Sequence, residues 1–516
     1  MAERPPPSVS TAGSAGAAGG HVRGSTLLLA GRLVNVGLDF VAQVVIVRYL
    51  AQSDYGAFAY GLSVASLTSS IAVLGLDKAS ERFLPMFEER GEHSKVVGTV
   101  VMTSGAVLAV GLAIVLAVYA MQSALAGRVV TDEQALSLLL ILVFLSPLHA
   151  MGSLMTSMLA VFANARVIFY RRYILGPVLQ LGVVLVVIGV QAGVEAFALF
   201  YVLASLLGTT ITAAVVLASM RRQGILVNGG TRELRFPIRE VFGFSMPLLV
   251  SDFVFVLRSS VAVILLEFHH LTTDVALFRA AVPIARQNLV VSQSFRLLFT
   301  PLAARLHARG DPTGLNDLYW SSALWIAVLS FPVFVVSFSL AEPITVLLYG
   351  DRYAGSAPIL AILALGNYLH GAAGFNGLVL RVYGRVRYIV SVDVVTTLVG
   401  LAAMVALISA YGPVGAAIGV TGTILVQTIA YHVGLGLRSD IVVFERRFWP
   451  IYAVIVGSAL GLALAQWWFA PPLPIGMVLA ALASLAVFAT GRRSLTIGRT
   501  FPALLQLPGG RWLFGE

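Results

Sequence analysis

The sequence contains no cysteine and little charge. The absence of cysteine among its 516 residues excludes disulfides, thiolate nucleophiles and cysteine metal sites. Only 11% of the residues are charged, whereas a soluble domain carries about 25%. The chain therefore lacks the composition of an ordinary soluble enzyme.

Lysine is also nearly absent, which excludes one large class of ATP-driven proteins. The only two lysines are Lys78, which follows Asp77, and Lys95, which follows Ser94. A phosphate-binding loop needs a glycine directly before its lysine, so this chain is not itself a P-loop ATPase. The sequence also lacks an HExxH motif, and the segments between its apolar runs are too short for a catalytic domain. We therefore predict no enzyme activity, no catalytic residue and no metal site.

Long apolar runs dominate what is present. Hydrophobic residues make up 58% of the chain, and a run of about 20 apolar residues suffices to cross a bilayer as a helix. We predict an all-α, polytopic membrane protein with about fourteen spans. These are residues 26–48, 55–76, 96–121, 134–161, 173–191, 195–219, 241–266, 274–300, 319–340, 357–380, 388–410, 414–437, 450–468 and 473–490.

The arginines predict the orientation of these spans. With the N-terminus inside, 26 arginines and lysines fall in cytoplasmic segments, and three fall in outer segments: Arg48, Arg128 and Arg352. Cytoplasmic loops carry such an excess of basic residues, so both termini are predicted to be cytoplasmic. The net charge of +10 is spread over these short loops, and we therefore expect no nucleic-acid partner.

The two halves of the chain share a short pattern. Asp54–Phe58 (DYGAF) opens the second span and Asp274–Phe278 (DVALF) opens the eighth. The offset of six spans predicts two parallel, pseudo-symmetric lobes, as in transporters that bind cargo between their halves. Chance similarity between apolar helices is the alternative. The predicted organisation is a disordered tail (1–24), an N-lobe (25–219), a linker (220–240), a C-lobe (241–437), two additional C-terminal spans (438–490) and a cytoplasmic tail (491–516).

Several motifs resemble one family when taken in order. They are Arg48–Gly56 (RYLAQSDYG), Gly75–Phe83 (GLDKASERF), Leu348–Tyr353 (LYGDRY), Ala357–Leu363 (APILAIL) and Gly384–Arg387 (GRVR). Together they resemble the polysaccharide-biosynthesis flippases of the Wzx type. This family belongs to the MOP superfamily, which also holds the MATE drug exporters and the lipid II flippases.

The resemblance implies a two-lobed, MATE-like bundle with a central cavity in the bacterial plasma (inner) membrane. It implies export of an undecaprenyl-pyrophosphate-linked oligosaccharide, with polysaccharide polymerase or ligase machinery as a partner. Family members often carry an acidic residue in span seven near the position of Arg258, so a coupling role does not carry over there. We expect a monomer with no cofactor other than a coupling H⁺ or Na⁺.

Four arginines within predicted spans are candidates for binding the pyrophosphate: Arg32, Arg258, Arg279 and Arg286. An arginine near the bilayer centre costs at least about 3 kcal/mol on insertion scales, so it normally faces protein or a water-filled cavity. Guanidinium groups bind phosphate in a bidentate manner. Arg279, Arg286 and Gln293 recur every seven residues, which places them near one helix face. Alternatively, such arginines are structural, bonded to carbonyls or to Asp252.

Acidic and aromatic residues supply the remaining candidates. Asp39 lies seven residues after Arg32, so it is a candidate for coupling transport to H⁺ or Na⁺, or else a partner of that arginine. Asp252 and Asp393 are secondary candidates that we expect first to be ion-pair partners. Tyr60 and Tyr368 are candidates for stacking on sugars, although aromatic residues are common in spans for other reasons.

The sequence therefore predicts a secondary transporter. It would move a lipid-linked oligosaccharide from the inner to the outer leaflet by alternating access around a basic cavity. One alternative is a multidrug or lipid II exporter of the same fold. Drug exporters carry mostly cationic cargo, which an excess of arginine disfavours. The second alternative is a membrane-embedded glycosyltransferase or polymerase.

Overall fold

The structure, a computed structural model of the full chain, is built from helices. It describes residues 31, 34–127, 130, 132–163, 165–228, 234–269, 271–439, 441–442 and 445–492. Within these ranges the extended structure is limited to one isolated bridge between Ala126 and Val130. The all-α class is therefore confirmed.

The first half of the chain forms helices that alternate with short turns. In chain order they are α1 (34–49), α2 (Gln52–Ala72), α3 (Leu76–Glu89), α4 (His93–Ala120), α5 (Gln122–Leu125), α6 (Glu133–Leu142), α7 (Leu145–Phe162), α8 (Ala165–Phe169), α9 (Gly176–Val190), α10 (Val194–Arg222) and α11 (Ile225–Asn228). A π-helix, Tyr170–Leu175, joins α8 to α9.

The second half continues with ten helices. They are α12 (Ile238–His269), α13 (Thr272–Arg286), α14 (Val290–Ala308), α15 (Pro312–Ser339), α16 (Ala341–Tyr349), α17 (Ala357–Ala372), α18 (Asn376–Val382), α19 (Val386–Arg438), α20 (Trp449–Phe469) and α21 (Leu473–Arg492). Short 3₁₀ turns occupy Gln287–Leu289, Asp351–Ser356 and Arg446–Phe448.

Ten helical stretches of the described chain are long and apolar enough to cross a membrane. The chain is therefore a multi-pass membrane protein. All fourteen predicted spans coincide, at least in part, with described helices. The number fourteen itself stays a prediction.

Glycine and proline determine several of the helix boundaries. At Gly412 the backbone of α19 takes φ 56° and ψ −133°, directly before Pro413, so α19 consists of two helices joined at a kink. Glycine adopts this conformation without steric cost, and proline cannot continue the hydrogen-bond ladder of the preceding helix. The two halves correspond to the predicted spans 388–410 and 414–437. At the start of α15, the Asp311 side chain accepts a 2.8 Å hydrogen bond from the Gly314 amide, and Pro312 occupies the first turn.

The chain divides into two units, each with its own apolar core. Unit 1 consists of Met1–Val45, Ala65–Met121 and Leu140–Phe253, and unit 2 consists of Ile46–Val64, Gln122–Leu139 and Val254–Glu516. Residues 46–64 and 122–139, which the sequence assigned to the N-lobe, thus group with unit 2. The predicted lobe boundaries otherwise stay predictions.

Buried side chains fill the inside of each unit. The core of unit 1 includes Phe87, Leu154 and Met158. The core of unit 2 is richer in aromatic residues and includes Trp325 and Phe331. Burial of such large side chains fixes the helices within each unit and so positions the polar residues described below.

Candidate functional site

Helix α13 in unit 2 carries two of the four arginines predicted to bind phosphate. Arg279 is half-buried and Arg286 is exposed, while most of the other α13 residues are buried. A separation of seven residues places both side chains on nearly the same side of the helix, about 10 Å apart along its axis. A single helix therefore presents two guanidinium groups in one direction.

Helix α13 ends at Arg286, and its last turn contains a proline. Pro283 has no N–H group to donate to the carbonyl one turn earlier. The Gln287 side chain donates a 3.3 Å hydrogen bond to the Pro283 carbonyl, and the 3₁₀ turn follows. The C-terminus of a helix carries a partial negative charge, which favours the cationic Arg286 at this position. The 3₁₀ turn also interrupts the seven-residue register that was predicted to continue from Arg286 to Gln293.

Neither arginine is neutralised by a neighbouring acid. Among the described residues, the side chains of Arg279 and Arg286 form no hydrogen bond or ion pair; the ion pairs found there are Lys78–Asp252 and Lys95–Glu92. The positive charge of Arg279 instead acts unfavourably on Arg286. Two unneutralised guanidinium groups within one helix favour an anionic ligand, since charge-assisted hydrogen bonds would satisfy their donors.

The other two arginine candidates cannot be placed. Arg32 lies outside the described residues. Arg258 occupies a helical position in α12, but its side chain is outside the described part of the structure. Their proposed role in binding pyrophosphate stays a prediction.

The acidic candidates all have polar partners. In unit 1, exposed Asp39 accepts a hydrogen bond from Asn35, one turn earlier in α1. Asp252 forms an ion pair with Lys78, also within unit 1.

In unit 2, Asp393 accepts hydrogen bonds from the Gln427 amide and the Tyr431 hydroxyl. Both donors are neutral groups, so the observed partners of Asp393 are hydrogen-bond donors and not cations. Asp393 thus joins two positions of the same kinked helix α19, on either side of the kink.

The remaining candidates lie elsewhere in unit 2. Gln293 is exposed on α14, beyond the 3₁₀ turn. Tyr60 and Tyr368 are buried, with 3% and 2% of their surface exposed. The Tyr368 ring stacks on Phe334 at 4.0 Å, and its hydroxyl donates a 3.0 Å hydrogen bond to the Ala327 carbonyl. In this structure Tyr368 presents neither its ring face nor its hydroxyl to a sugar.

Two arginines that the sequence did not select hold the chain together at one end of unit 2. Arg48 lies in the last turn of α1, and its guanidinium donates hydrogen bonds to the Leu347 carbonyl and, at 2.6 Å, to the Leu348 carbonyl. Arg352 donates in the opposite direction, to the carbonyls of Val47 and Arg48 at 2.8 and 2.7 Å. We call Arg48 and Arg352 the arginine pair. Each binds the backbone of the segment that carries the other.

A buried carboxyl lies in the same unit. Glu267 follows the seventh predicted span and lies in the last turn of α12, and only 1% of its surface is exposed. Neither carboxyl oxygen has a hydrogen-bond partner among the described residues. Two titratable groups interact with it electrostatically, the Asp132 carboxyl and the Tyr60 hydroxyl. Asp132 in turn accepts a 2.5 Å hydrogen bond from the Thr272 hydroxyl. We call Glu267, Asp132, Tyr60 and Thr272 the carboxyl cluster.

Unit 1 contains a cavity of about 300 Å³ between α7, α9 and α10. Its lining includes Arg171 from the π-helix, together with His149 and Gln180. The Arg171 guanidinium, however, donates hydrogen bonds to the Thr212 hydroxyl and, at 3.0 Å, to the Gly208 carbonyl. Part of its donor capacity is thus used within the protein, unlike that of Arg279 and Arg286.

The sequence held a partial signal for the residues that were missed. Arg48 and Arg352 are two of the three arginines predicted outside, against the charge bias, and both fall in family-like motifs. Their positions in such motifs indicated importance but could not indicate that they bind each other's segments. Glu267 was visible only as the first residue of a polar turn.

Comparison with known proteins agrees with this architecture. Residues 45–358, more than half of the chain, match the family model described as "Polysaccharide biosynthesis protein". The chain is 25% identical over 341 residues to the succinoglycan biosynthesis transport protein ExoT of Rhizobium meliloti. That similarity spans 64% of this chain and 62% of the length of ExoT.

Solved structures of transporters share the fold. The lipid II flippase MurJ in an inward closed conformation superposes with a TM-score of 0.65 at 14% identity, covering 92% of this chain and 99% of MurJ. An inward-facing multidrug resistance MATE transporter of the MOP superfamily gives a TM-score of 0.63, also at 14% identity, covering 78% of this chain and 93% of that one. These likenesses confirm the MATE-like fold class. The match to the family model, which covers more than half of the chain, shows that the chain belongs to the polysaccharide biosynthesis protein family.

Proposed function

We propose that the protein is a flippase that moves a pyrophosphate-linked, lipid-anchored oligosaccharide across the bacterial inner membrane. Transport would proceed by alternating access, with both termini in the cytoplasm. The product would be delivered to polysaccharide polymerase or ligase machinery on the outer face. The family match and the transport function in succinoglycan biosynthesis named for the ExoT relative support a cargo that belongs to polysaccharide biosynthesis.

The observation that carries this proposal is the pair of unneutralised guanidinium groups on α13. A pyrophosphate bears several negative charges, and each guanidinium can donate two parallel hydrogen bonds to phosphate oxygens. Arg279 and Arg286 are about 10 Å apart along the helix. This spacing suits successive contacts with a moving headgroup better than simultaneous contacts with one phosphate.

The same observation separates this proposal from a drug exporter. A cationic drug would be repelled by two uncompensated positive charges, and transfer of such a cargo past Arg286 would be unfavourable. A lipid II exporter would share the anionic headgroup. It differs in the attached glycan and peptide, so the choice between these cargoes rests on the transport assay.

The test is a flipping assay with the purified protein in proteoliposomes. A radiolabelled undecaprenyl-pyrophosphate oligosaccharide is placed in both leaflets, and a membrane-impermeant glycosidase digests the outward fraction. With functional protein, the digested fraction should exceed the fraction of substrate that was initially in the outer leaflet, because flipping exposes the remainder. Replacing Arg286 by alanine should slow flipping by about ten- to a hundredfold, since a hydrogen bond to a charged group contributes about 1.5–3 kcal/mol. Arg286→Lys should retain part of the rate, because lysine keeps the charge without the bidentate geometry.

Arg309→Ala provides the matched control. Arg309 is an exposed arginine at the C-terminal end of α14, so its loss removes the same charge without changing α13. Normal flipping by the Arg286→Ala variant would show that Arg286 does not bind the pyrophosphate headgroup during transport. Incorporation of label into longer glycan without translocation would instead support the glycosyltransferase alternative. Transport of lipid II in preference to the oligosaccharide would identify the lipid II exporter.

A further inference from the structure

Glu267 is a buried acid without a bonding partner. With only 1% of its surface exposed and both oxygens lacking hydrogen bonds to the described residues, its charged form would be strongly disfavoured. No arginine or lysine forms an ion pair with it in the described chain. A carboxyl in these surroundings is stable in the neutral, protonated form.

The groups that face Glu267 increase this preference. From the segment before α6, the Asp132 carboxyl acts on Glu267, and from α2 the Tyr60 hydroxyl interacts with it. A second negative charge nearby disfavours ionisation of both acids, so such a pair tends to retain one proton. Asp132 already accepts a hydrogen bond from the Thr272 hydroxyl, whereas neither oxygen of Glu267 has a hydrogen-bond partner among the described residues. The proton is therefore expected on Glu267.

The carboxyl cluster includes a close contact between two helices. Gly56 in α2 lies against the start of α13, and a Cβ atom at this position would be 1.9 Å from the Thr272 carbonyl oxygen. Only glycine permits this approach. The neighbouring Ala57 is fully buried. If α2 and α13 separate, water can reach Glu267 and hydrate its charged form.

We propose that Glu267, together with Asp132, binds one proton, and that the bound proton favours the packed arrangement of α2 against α13. On the orientation predicted from the arginines, this end of unit 2 faces the outer side, so the proton comes from outside. The proposal deepens the proposed flippase function by adding a proton site that stabilises the closed outer end. The role of this proton site in transport rests on the proposed flippase function, whereas proton binding by Glu267 does not.

The direction of the pH effect follows from linkage. Burial, and then the negative charge of Asp132, raise the pKa of Glu267 from its ordinary 4.5 to about 7. The packed arrangement binds the proton more tightly than a hydrated one, so acid favours packing. This contribution is complete below about pH 4.5, is lost as the pH rises toward 7, and changes little at higher pH. We take a pKa of about 7 for Glu267 in the packed arrangement and the ordinary 4.5 in the hydrated one. This difference predicts that the fraction of molecules with separated helices rises about thirtyfold between pH 5 and pH 7.

The natural absence of cysteine makes the separation measurable. In the otherwise unchanged full chain in nanodiscs, Ala57→Cys places a thiol on the buried side of α2. A membrane-impermeant thiosulfonate should label it about thirty times faster at pH 7 than at pH 5. Leu271→Cys, at a position 73% exposed, reports the intrinsic pH dependence of the thiol reaction, which is divided out. No lipid-linked substrate is needed, so a failure here is distinguishable from a failure of the flippase proposal.

Three variants test whether Glu267, together with Asp132, binds the proton. Glu267→Gln cannot ionise and should give slow labelling at every pH. Asp132→Asn should move the transition to lower pH. Glu133→Gln, which changes an exposed neighbouring acid, should behave like the unmodified chain.

A pH profile that Glu267→Gln leaves unchanged would overturn the proposal. Slower labelling at pH 8 on addition of Na⁺ would show that the site binds a metal cation and would overturn the proposal that it binds a proton. If Ala57→Cys does not fold, hydrogen exchange of the α2 amides in the cysteine-free protein gives the same comparison between the unmodified chain and the Glu267→Gln variant.

Discussion

Replacing Gly56 by alanine tests the close contact between α2 and α13 with a single methyl group. The added Cβ would lie 1.9 Å from the Thr272 carbonyl oxygen, whereas real Cβ contacts essentially never fall below 3.0 Å. The oxygen belongs to the backbone, so no side chain can rotate away. One helix must therefore move by about 1 Å or the packed arrangement must open.

The energy of this change can be bounded. Overpacking of a close contact costs about 1–3 kcal/mol. Alanine also gains up to about 1 kcal/mol in helix propensity over glycine, but α2 is helical in both arrangements, so this gain cancels. The equilibrium between separated and packed helices should shift about 5- to 150-fold toward separation.

Labelling of Ala57→Cys measures this shift directly. At pH 5, where packing is most favourable, Gly56→Ala should label at least about five times faster than the parent. Gly105→Ala in α4 is the control, because a Cβ there has no neighbouring atom within 4 Å. Both variants should remain monodisperse in detergent. If Gly56→Ala labels no faster than Gly105→Ala, the contact between α2 and α13 does not control access, and the reasoning about Glu267 loses its structural basis.

Two further substitutions test other parts of the chain. Arg48→Ala should lower the midpoint of thermal unfolding followed by tryptophan fluorescence and speed labelling of Ala57→Cys, since it removes charge-assisted bonds worth about 1.5–3 kcal/mol. Arg48→Lys should be intermediate, because one ammonium cannot match the spacing of two carbonyls; equal stability of Arg48→Ala and the parent would contradict this role. Asp39→Asn should abolish the dependence of flipping on an imposed pH or Na⁺ gradient and leave the pH profile of Ala57→Cys labelling unchanged. Gradient dependence that persists in Asp39→Asn would exclude Asp39 as the coupling residue.

The sequence predicted the helices best where bilayer thickness determines their length. The predicted spans 195–219 and 473–490 lie within α10 (Val194–Arg222) and α21 (Leu473–Arg492). Hydropathy could not predict the interruption of the span 274–300 after Arg286, because the 3₁₀ turn Gln287–Leu289 is a change of backbone geometry. Hydropathy also missed α3 (Leu76–Glu89), because this helix is amphipathic and not continuously apolar.

The candidate site was predictable to the extent that it lies on one helix. The seven-residue spacing placed Arg279 and Arg286 together, since spacing along one helix determines direction. It could not indicate that both lack a counter-charge. Contacts between distant segments were beyond its reach: about 300 residues separate Arg48 from the carbonyls that it binds, and a carbonyl leaves no signature in the amino-acid type. Glu267 was overlooked because the groups that interact with it lie on distant segments; Tyr60, for example, is more than 200 positions earlier.

The arginine pair has a consequence for how these loops can change over evolution. Its acceptors are main-chain oxygens, which every amino acid supplies. Substitutions at Val47, Leu347 or Leu348 would therefore leave the bonds available, and only the two arginines are irreplaceable there. A guanidinium also stays charged at every physiological pH. The bonds of the arginine pair are thus insensitive to acidity and tolerant of substitutions at the residues that accept them.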